Sequence, residues 1–483
     1  MACLWAEKGQ EMGFNKPTEE MLEKLKAAVP GRVYLGEDIS EDFTHDEYDV
    51  HGHFMPDAVV SCKTTEEVSA VCKLCYEYEV PIVPRGAGTG LSGGCVPTSG
   101  GVVIDLQKMN QIHEIDLDNL VIRAQAGALI DDVQKACQDK GMLYPPDPGE
   151  KFATLGGNVA TNAGGMRACK YGCTRDWVLA MTVVMPNGDI MRFGAEVSKN
   201  CSGYSLMNLM CGSEGTLGII TELSMRIAPN PTGTISFLAP FTDVETCIAC
   251  VSKVKLANLN PQALEFMDRE NVASVEKFLD KKVYPDKIDG EEVGAYLLVN
   301  FEVFSDDEID DLLEKAAELF VENGALDVMV YDTPAALANA WLVRGSALEA
   351  ILEQFELTDE CDVVVPISHL AELINYCSAL QEETGVAIRL TGHAGDGNVH
   401  VSLCVNDMSQ EEFEAICKEC FDKIYAKGKE LEGAVSGEHG IGNCRIDRLE
   451  EYLGKEQMDL MVAIKKACDP KMLLNPGKVC YSL

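Results

Sequence analysis

Basic residues are scarce in this chain. Its 483 residues include 40 Lys and Arg against 78 Asp and Glu, a formal net charge of -38. Nucleic acid and anionic membrane surfaces are polyanions, so nonspecific binding to either is excluded as a function class. Long apolar runs are missing as well. None reaches the roughly 18 residues that a membrane-spanning helix needs, so no integral membrane segment is expected. The start, Met1-Ala2-Cys3-Leu4-Trp5-Ala6-Glu7, lacks the basic stretch and apolar core of a signal peptide. These absences read as a cytoplasmic protein. Internal repeats and low-complexity tracts are also lacking. The 20 Cys are plentiful but too dispersed for a disulfide framework, which fits reduced thiols in a reducing compartment. Three CxxC pairs, Cys72/Cys75, Cys247/Cys250 and Cys417/Cys420, lie in amphipathic helical segments. None is followed by the further close cysteines of a ferredoxin-type cluster motif, so all three read as ordinary thiols.

What is present is enough apolar material, 46%, for more than one core, and the length exceeds what a single core supports. Residues 1–50 read as an N-terminal extension holding a helix from Pro17 through Ala28. Over residues 51–230, helices, short strands and glycine-rich loops alternate. Thr64 and Glu67 form a capping box opening a helix to about Tyr78, and a strand follows at Val80 to Val83. The breaker cluster Asn230-Pro231-Thr232-Gly233 marks a boundary. Residues 231–425 place helices near 243–257, 305–323, 333–353 and 367–383 among β runs such as Ala295 to Phe301 and Cys361 to Val365. That pattern is one sheet covered by helices. Residues 426–483 carry a Glu438-His439 loop and two terminal helices. The fold class is α+β.

The chemistry concentrates in Thr391-Gly392-His393-Ala394-Gly395-Asp396-Gly397-Asn398-Val399-His400 and in Ser436-Gly437-Glu438-His439-Gly440. Only 8 His occur in the chain, and three of them fall in these two glycine-framed segments. Imidazole and carboxylate ligation suits a borderline divalent ion such as Zn, Fe or Mn, and three ligands leave a coordination position for substrate. His393, His400 and Glu438 are the candidate ligands. His439, adjacent to one of them, is a candidate for proton exchange with a bound substrate. The bland alternative, histidines hydrogen-bonded in a glycine-rich turn, suits any one of them but not their clustering.

Glycine-rich loops mark the first half. Pro84-Arg85-Gly86-Ala87-Gly88-Thr89-Gly90-Leu91-Ser92-Gly93-Gly94 follows a strand, yet a second strand (Gly101 to Asp105) comes next, where a Rossmann or Walker loop would open a helix. Its backbone N–H groups, with the hydroxyls of Thr89 and Ser92, can cradle a pyrophosphate. Pro145-Pro146-Asp147-Pro148 leads into Thr154-Leu155-Gly156-Gly157-Asn158-Val159-Ala160-Thr161-Asn162-Ala163-Gly164-Gly165. Gly212-Ser213-Glu214-Gly215-Thr216-Leu217-Gly218-Ile219-Ile220 closes the region.

In this order the motifs resemble the FAD-linked oxidase and dehydrogenase family, which includes D-lactate dehydrogenases, the glycolate oxidase catalytic subunit and D-2-hydroxyglutarate dehydrogenase. The resemblance covers roughly residues 40 to 480. It implies a two-subdomain flavin domain of the vanillyl-alcohol-oxidase type, an α/β cap domain and C-terminal helices that return to the flavin domain. It implies FAD, with Arg85, Gly86, Ala87, Gly88, Thr89, Gly90, Leu91 and Ser92 on the pyrophosphate. Asp147, Thr154, Gly157, Thr161, Asn162, Gly164, Glu214, Thr216, Leu217, Ile219 and Ile220 carry over as further cofactor contacts. Relatives that bind flavin covalently through the first loop have a His there. This loop has none, so dissociable FAD is expected.

The same resemblance makes His393, His400 and Glu438 the metal ligands and His439 the base. Arg344 becomes the grip on a substrate carboxylate, a task suited to a bidentate guanidinium. The chain departs from dicarboxylate-specific relatives at Leu348, where they have Thr, and at Glu360, where they have Lys. Losing a cation and gaining an anion points to a small monocarboxylate. The expected reaction is oxidation of a 2-hydroxy acid, D-lactate to pyruvate, with glycolate and D-2-hydroxyglutarate as alternatives. An electron-transferring flavoprotein is the expected acceptor. A metal-dependent hydrolase and a noncatalytic flavin electron-transfer subunit are the readings of other classes.

Overall fold

Two strand patterns divide the chain. Runs such as Ala58-Val59-Val60 and Val102-Val103-Ile104 are apolar throughout and buried on both faces, as parallel strands covered on both sides must be. Runs such as Asn398-Val399-His400-Val401-Ser402-Leu403 alternate, sending apolar and polar side chains to opposite faces. The computed structural model describes residues 13–48 and 52–482 and divides into two units. The first comprises residues up to Gly164, Cys173–Asn230 and the chain from Glu438 onward; the second comprises Gly165–Gly172 and Pro231–Gly437.

The first unit has two main sheets. β1 (Val33–Tyr34), β2 (Ala58–Ser61), β3 (Ile82–Arg85) and β4 (Val102–Asp105) lie in the order β1-β2-β4-β3, with β2 and β3 parallel to β4 and β1 antiparallel to β2. The helix before β2 spans Glu19–Ala28, two residues later than Pro17, because the Thr18 side chain accepts from the Met21 N–H and caps it. The segment set apart as an extension supplies core. Met21, Leu25 and Val29 are fully buried in one cluster with Val60, Val71, Ile104 and Leu474. At the helix Thr65–Tyr78 the Thr64 hydroxyl accepts from the Glu67 N–H. The Glu67 carboxylate accepts from Lys63 N–H and Arg32 rather than from Thr64, so the capping box is half formed.

β5 (Ile112–Asp116), β6 (Val121–Gln125), β7 (Val178–Val184), β8 (Ile190–Gly194) and β9 (Ile219–Arg226) form an antiparallel sheet in the order β5-β6-β9-β7-β8. The terminal helices Ile446–Leu453 and Lys455–Cys468 belong to this unit. The fully buried Lys465 gives its three ammonium hydrogens to Thr216 O, Asp469 Oδ2 and Leu474 O at 2.6–2.7 Å. A buried cation is tolerable only when satisfied in this way.

The second unit is built on one antiparallel sheet: β10 (Gly233–Phe241), β11 (Ala263–Asp268), β12 (Ala295–Val303), β13 (Met329–Tyr331), β14 (Leu357–Val364), β15 (Ala387–His393) and β16 (Asn398–Val405). Their order is β13-β10-β12-β11-β15-β16-β14. Phe237, Leu264, Phe266, Val299, Phe301, Leu390 and Val401 share one face and belong to the core that includes residues of the helices Val244–Leu256, Leu370–Thr384 and Gln410–Glu430. Partners directly opposite each other share a face. The pairings Ser236↔Asn300, Glu265↔Leu298, Thr391↔His400, Asp362↔His400 and Glu360↔Ser402 therefore gather polar side chains on the other face. The single helix expected over 333–353 is two, Pro334–Gly345 and Ala347–Gln354, parted at Gly345-Ser346, two poor helix formers. The three CxxC pairs are buried thiols, and burial pushes each of them up, Cys250 to about 12.

Arg123 of β6 braces the second sheet of the first unit. Its Nε and Nη2 donate to the Glu196 carboxylate at 3.0 and 2.6 Å, and the Ser224 hydroxyl adds 2.7 Å. The guanidinium, then the hydroxyl, hold the Glu196 carboxyl down at about 2 against an ordinary 4.5. This contribution is complete above pH 4.5 and is lost as pH falls toward 2. Arg123→Met is expected to lower stability by about 1–2 kcal/mol at pH 7. Urea unfolding should show the gap to wild type shrinking between pH 4.5 and 2.5.

Candidate active site

The loops that follow β3, that open the helix Leu155–Thr161 and that enter β9 converge on one cavity in the first unit. Its open space is about 1310 Å³. Arg85, Gly86, Ala87, Gly88, Thr89, Gly90, Leu91, Ser92, Thr154, Gly157, Thr161, Gly164, Glu214, Ile219 and Ile220 line it, together with Glu438 and His439. The N–H groups of Gly86 through Gly90 donate to no acceptor among the described residues. Consecutive free backbone donors form a nest for an oxyanion, and a diphosphate is such an anion. Gly86 permits the close packing behind the loop, since a Cβ there would lie 2.3 Å from Thr154 Oγ1. At Gly90 a Cβ would enter open space. Asn158 lines the same cavity at 4% exposure, and its Nδ2 has no acceptor among the described residues. A buried amide of this kind calls for a polar ligand atom. An apolar cleft with a donor nest and a lone amide fits a dinucleotide such as FAD.

The geometry places the expected cofactor residues unevenly. Arg85 borders the cavity, but its guanidinium donates to Asp42 O at 2.6 Å, His45 O at 2.7 Å and Cys95 Sγ at 3.1 Å. Its charge braces the loop from behind, and the backbone N–H groups face no such demand. Four expected cofactor contacts do not line the cavity. Asp147 is replaced there by its neighbour Pro148. Asn162 caps its helix at φ +55°, and its Oδ1 accepts from the Arg175 N–H. The Thr216 hydroxyl donates to Ser213 O, and Leu217 is buried in the core of the second sheet.

The Glu438-His439 loop is fastened to the cavity wall on both sides. Ser92 Oγ donates to His439 O at 3.0 Å, and the Glu214 carboxylate accepts from the N–H groups of Ile441 and Gly442 at 2.8 Å each. Burial raises the Glu214 pKa, and the two backbone donors work against it. Arg445 donates to Gly440 O at 2.9 Å. Gly442 has φ +53°, and a Cβ there would sit 1.7 Å from Ser92 O, so only glycine fits. Glu214 thus lines the cavity while its charge is spent on holding the loop.

A second cluster lies on the polar face of the large sheet. His393 ends β15 and His400 sits in β16, joined by a turn in which Asp396 and Gly397 donate to His393 O. The ring centroids are 5.3 Å apart and the planes nearly perpendicular. Glu265, at 0% exposure, accepts from His393 Nδ1 at 2.8 Å and from Arg344 Nε at 2.9 Å. Burial pushes its carboxyl up, but His393 and Arg344 together outweigh burial and hold it below the ordinary value. A carboxylate can only accept, so His393 carries a proton on Nδ1 and turns Nε2 away from Glu265. The assignment rests on the hydrogen-bond geometry. Among the described residues only Nε of Arg344 is engaged. His400 Nδ1 lies 3.9 Å from Glu360 and 4.0 Å from Asp362, and Ser402 donates to Glu360 at 2.8 Å. Asp362 accepts from Asn398 at 2.6 Å and from Ser436 at 2.8 Å. Gly437 packs against the Asn398 amide, where a Cβ would come within 2.4 Å. Glu438 is the next residue in the chain.

Glu265, Asp362, Asn398 and Asn158 escaped the sequence reading. A signal existed for the first two. A lone acid in an apolar alternation, as in Leu264-Glu265-Phe266-Met267 and Cys361-Asp362-Val363-Val364, needs a buried partner.

Comparison with known proteins agrees with this architecture. Residues 56–194 match the description "FAD binding domain", and residues 231–479 match "FAD linked oxidases, C-terminal domain". The chain is 53% identical over 473 residues to a protein of Anaerostipes hadrus named D-lactate dehydrogenase, covering 98% of this chain and 100% of the relative. It is 38% identical to the glycolate oxidase subunit GlcD of Bacillus subtilis, covering 88% and 89%. Among solved structures, p-cresol methylhydroxylase with substrate bound superposes with a TM-score of 0.80 at 18% identity, covering 97% of this chain and 98% of the other, a likeness of fold. No helix among the described residues is long and apolar enough to cross a membrane. With both of the family's domains present in order along one chain, the protein belongs to the FAD-linked oxidases.

Proposed function

We propose that the protein oxidises a small 2-hydroxy acid, D-lactate in first place, to the 2-oxo acid. The observation that carries this reading is the 53% identity, over nearly the whole chain, to a protein named D-lactate dehydrogenase. Bound FAD would supply the hydride acceptor, and a divalent metal (Zn, Fe or Mn) the Lewis acid that lowers the substrate hydroxyl pKa. The chain's own residues do the rest. The backbone N–H groups of Gly86 to Gly90 hold the FAD diphosphate, and Asn158 takes a polar atom of the cofactor. The FAD is dissociable, since the first loop has no His to bond it.

His393, His400 and Glu438 hold the metal. The arrangement of His393 favours this, because Glu265 fixes its Nδ1 proton and turns the tautomer toward metal binding. Glu265 also takes Arg344 Nε, which leaves the two Nη groups for bidentate contact with the substrate carboxylate. His439, its backbone fixed by Ser92, accepts the substrate hydroxyl proton. Glu360, held by Ser402 beside His400, puts negative charge where a second substrate carboxylate would need a cation, which ranks D-2-hydroxyglutarate below D-lactate. Glycolate, a monocarboxylate, remains the nearer alternative. Family membership favours oxidation over a metal-dependent hydrolase or a noncatalytic flavin subunit. Electrons then leave to a protein acceptor such as an electron-transferring flavoprotein. None of the described cysteines is joined in a disulfide, in keeping with a cytoplasmic location.

Anaerobic visible spectra test the reaction. D-lactate should bleach the oxidised flavin, a chelator should abolish the bleaching, and a divalent metal should restore it. A flavin bleached by glycolate alone would move the substrate assignment, and a chain that takes up no FAD would end the reading. Glu265→Gln is expected to weaken metal affinity about 10–100-fold, measured by metal titration of the apoprotein. Arg344→Lys should raise the D-lactate KM at least about tenfold with FAD content unchanged, because an ammonium cannot replace a bidentate fork.

A further inference from the structure

One buried hydrogen-bond chain on the polar face of the large sheet is not used by the proposed chemistry. It begins at Trp341, one helical turn before Arg344 on the helix Pro334–Gly345. The indole Nε1 donates to Ser236 Oγ at 2.9 Å, and Ser236 Oγ donates to Asn300 Oδ1 at 2.9 Å. Asn300 Nδ2 donates to Gln262 Oε1 at 2.5 Å, and Gln262 Nε2 donates to Glu302 Oε1. Glu302 Oε2 accepts from Lys170 Nζ and from Tyr171 Oη, both at 2.5 Å. Ser236 and the Glu302 side chain are fully buried, and Asn300 and Gln262 are under a tenth exposed.

Every donor in this chain runs the same way, toward a carboxylate. Glu302 can only accept, so Gln262 must present its amide nitrogen to it and its oxygen to Asn300. Asn300 must then turn its own oxygen to Ser236, whose remaining lone pairs take Trp341. No amide can flip without leaving two buried groups unpaired. Hydrogen bonds aligned in this sense polarise and strengthen one another. The register supports them. Ser236 and Asn300 are opposite each other, and Asn300 and Glu302 are two apart on β12, on one face. The far end is anchored by Lys170 and Tyr171 in Gly165–Gly172, a segment that leaves the cavity wall at Gly164 to dock in the second unit. Cys169 adds a thiol bond to Pro261 O at 3.2 Å.

We propose that Glu302 is a positioning residue for substrate recognition. Through Gln262, Asn300, Ser236 and Trp341 it sets the rotation of the helix that presents Arg344, and the docked segment 165–172 fixes that setting. The inference rests on the reading of Arg344 as the grip on the substrate carboxylate. Arg344 has its own tether at Glu265 on β11, two strands away from Ser236 on β10 in the sheet order, so the helix is held at two separated points. Losing the Trp341 bond leaves one point and lets the guanidinium turn about it.

The test compares Trp341→Phe, Glu302→Gln, Arg344→Lys and the double variant Trp341→Phe/Arg344→Lys in the FAD-loaded full chain. Half-saturation of flavin reduction by D-lactate, its limiting rate, FAD content and Tm are read for each. Trp341→Phe should raise half-saturation about 3–10-fold and Glu302→Gln about tenfold, with limiting rate and FAD content within about twofold of wild type. The double variant should be no weaker than Arg344→Lys alone, since both changes act on one contact. Additive losses in the double variant would overturn the proposal, as would single variants that lower Tm without moving half-saturation. If Arg344→Lys itself left half-saturation unchanged, the reading of Arg344 would fail first, whatever the relay variants did.

Discussion

A single buried carboxylate constrains the second unit. Glu265 sits in the middle of an apolar strand with no solvent to share its charge, so it must be paired or neutral. The chain pairs it twice, with an imidazole from β15 and a guanidinium from a helix laid across the sheet. Two side chains of the polar face are thereby oriented by one group, at a cost in burial that the two partners offset. Much of the polar face follows from this choice. Once one strand carries a buried acid, the neighbouring strands must supply partners on the same face, and the register brings Thr391, Asn398, His400 and Ser402 there.

The first unit solves a different problem with the same economy. Its cavity needs backbone donors, and donors are free only where strands end and helices have not begun. Loops of this kind wander unless something holds them. Arg85 holds the first loop by its back, Ser92 and Glu214 hold the loop of His439, and Lys465 gathers three carbonyl and carboxylate oxygens near the end of the chain. Arg85 and Glu214, whose place in the motifs points to a ligand, are here struts, and the donors left open in the first loop are backbone N–H groups with no side chain to announce them.

That inversion explains what the sequence disclosed and what it hid. The α+β class and the glycine loops around the cavity were legible because each has a local signature of spacing or composition. Asn162, Thr216 and Leu217 stand outside the cavity lining because a motif reports proximity to a site and not the direction of a side chain. The break at Ser346 was hidden within an amphipathic pattern that continues through it. Glu265 and Asp362 lay in strands whose partners are distant in sequence, so their demand for pairing could be sensed, but the partners could not be named from spacing alone. Asn158 differs again: its buried amide nitrogen has no acceptor among the described residues, a property of the packing that no local pattern signals.

The excursion of residues 165–172 bears on how such proteins can be recombined. The chain passes between its two units four times, and one of the passes delivers only eight residues. A chimera made by a single crossover at residue 230 would join a second unit to a foreign octapeptide, parting Lys170 and Tyr171 from Glu302. Exchange of the second unit between relatives is therefore modular only as two pieces inherited together, and lineages that shuffle it are constrained to keep the small piece with the large one.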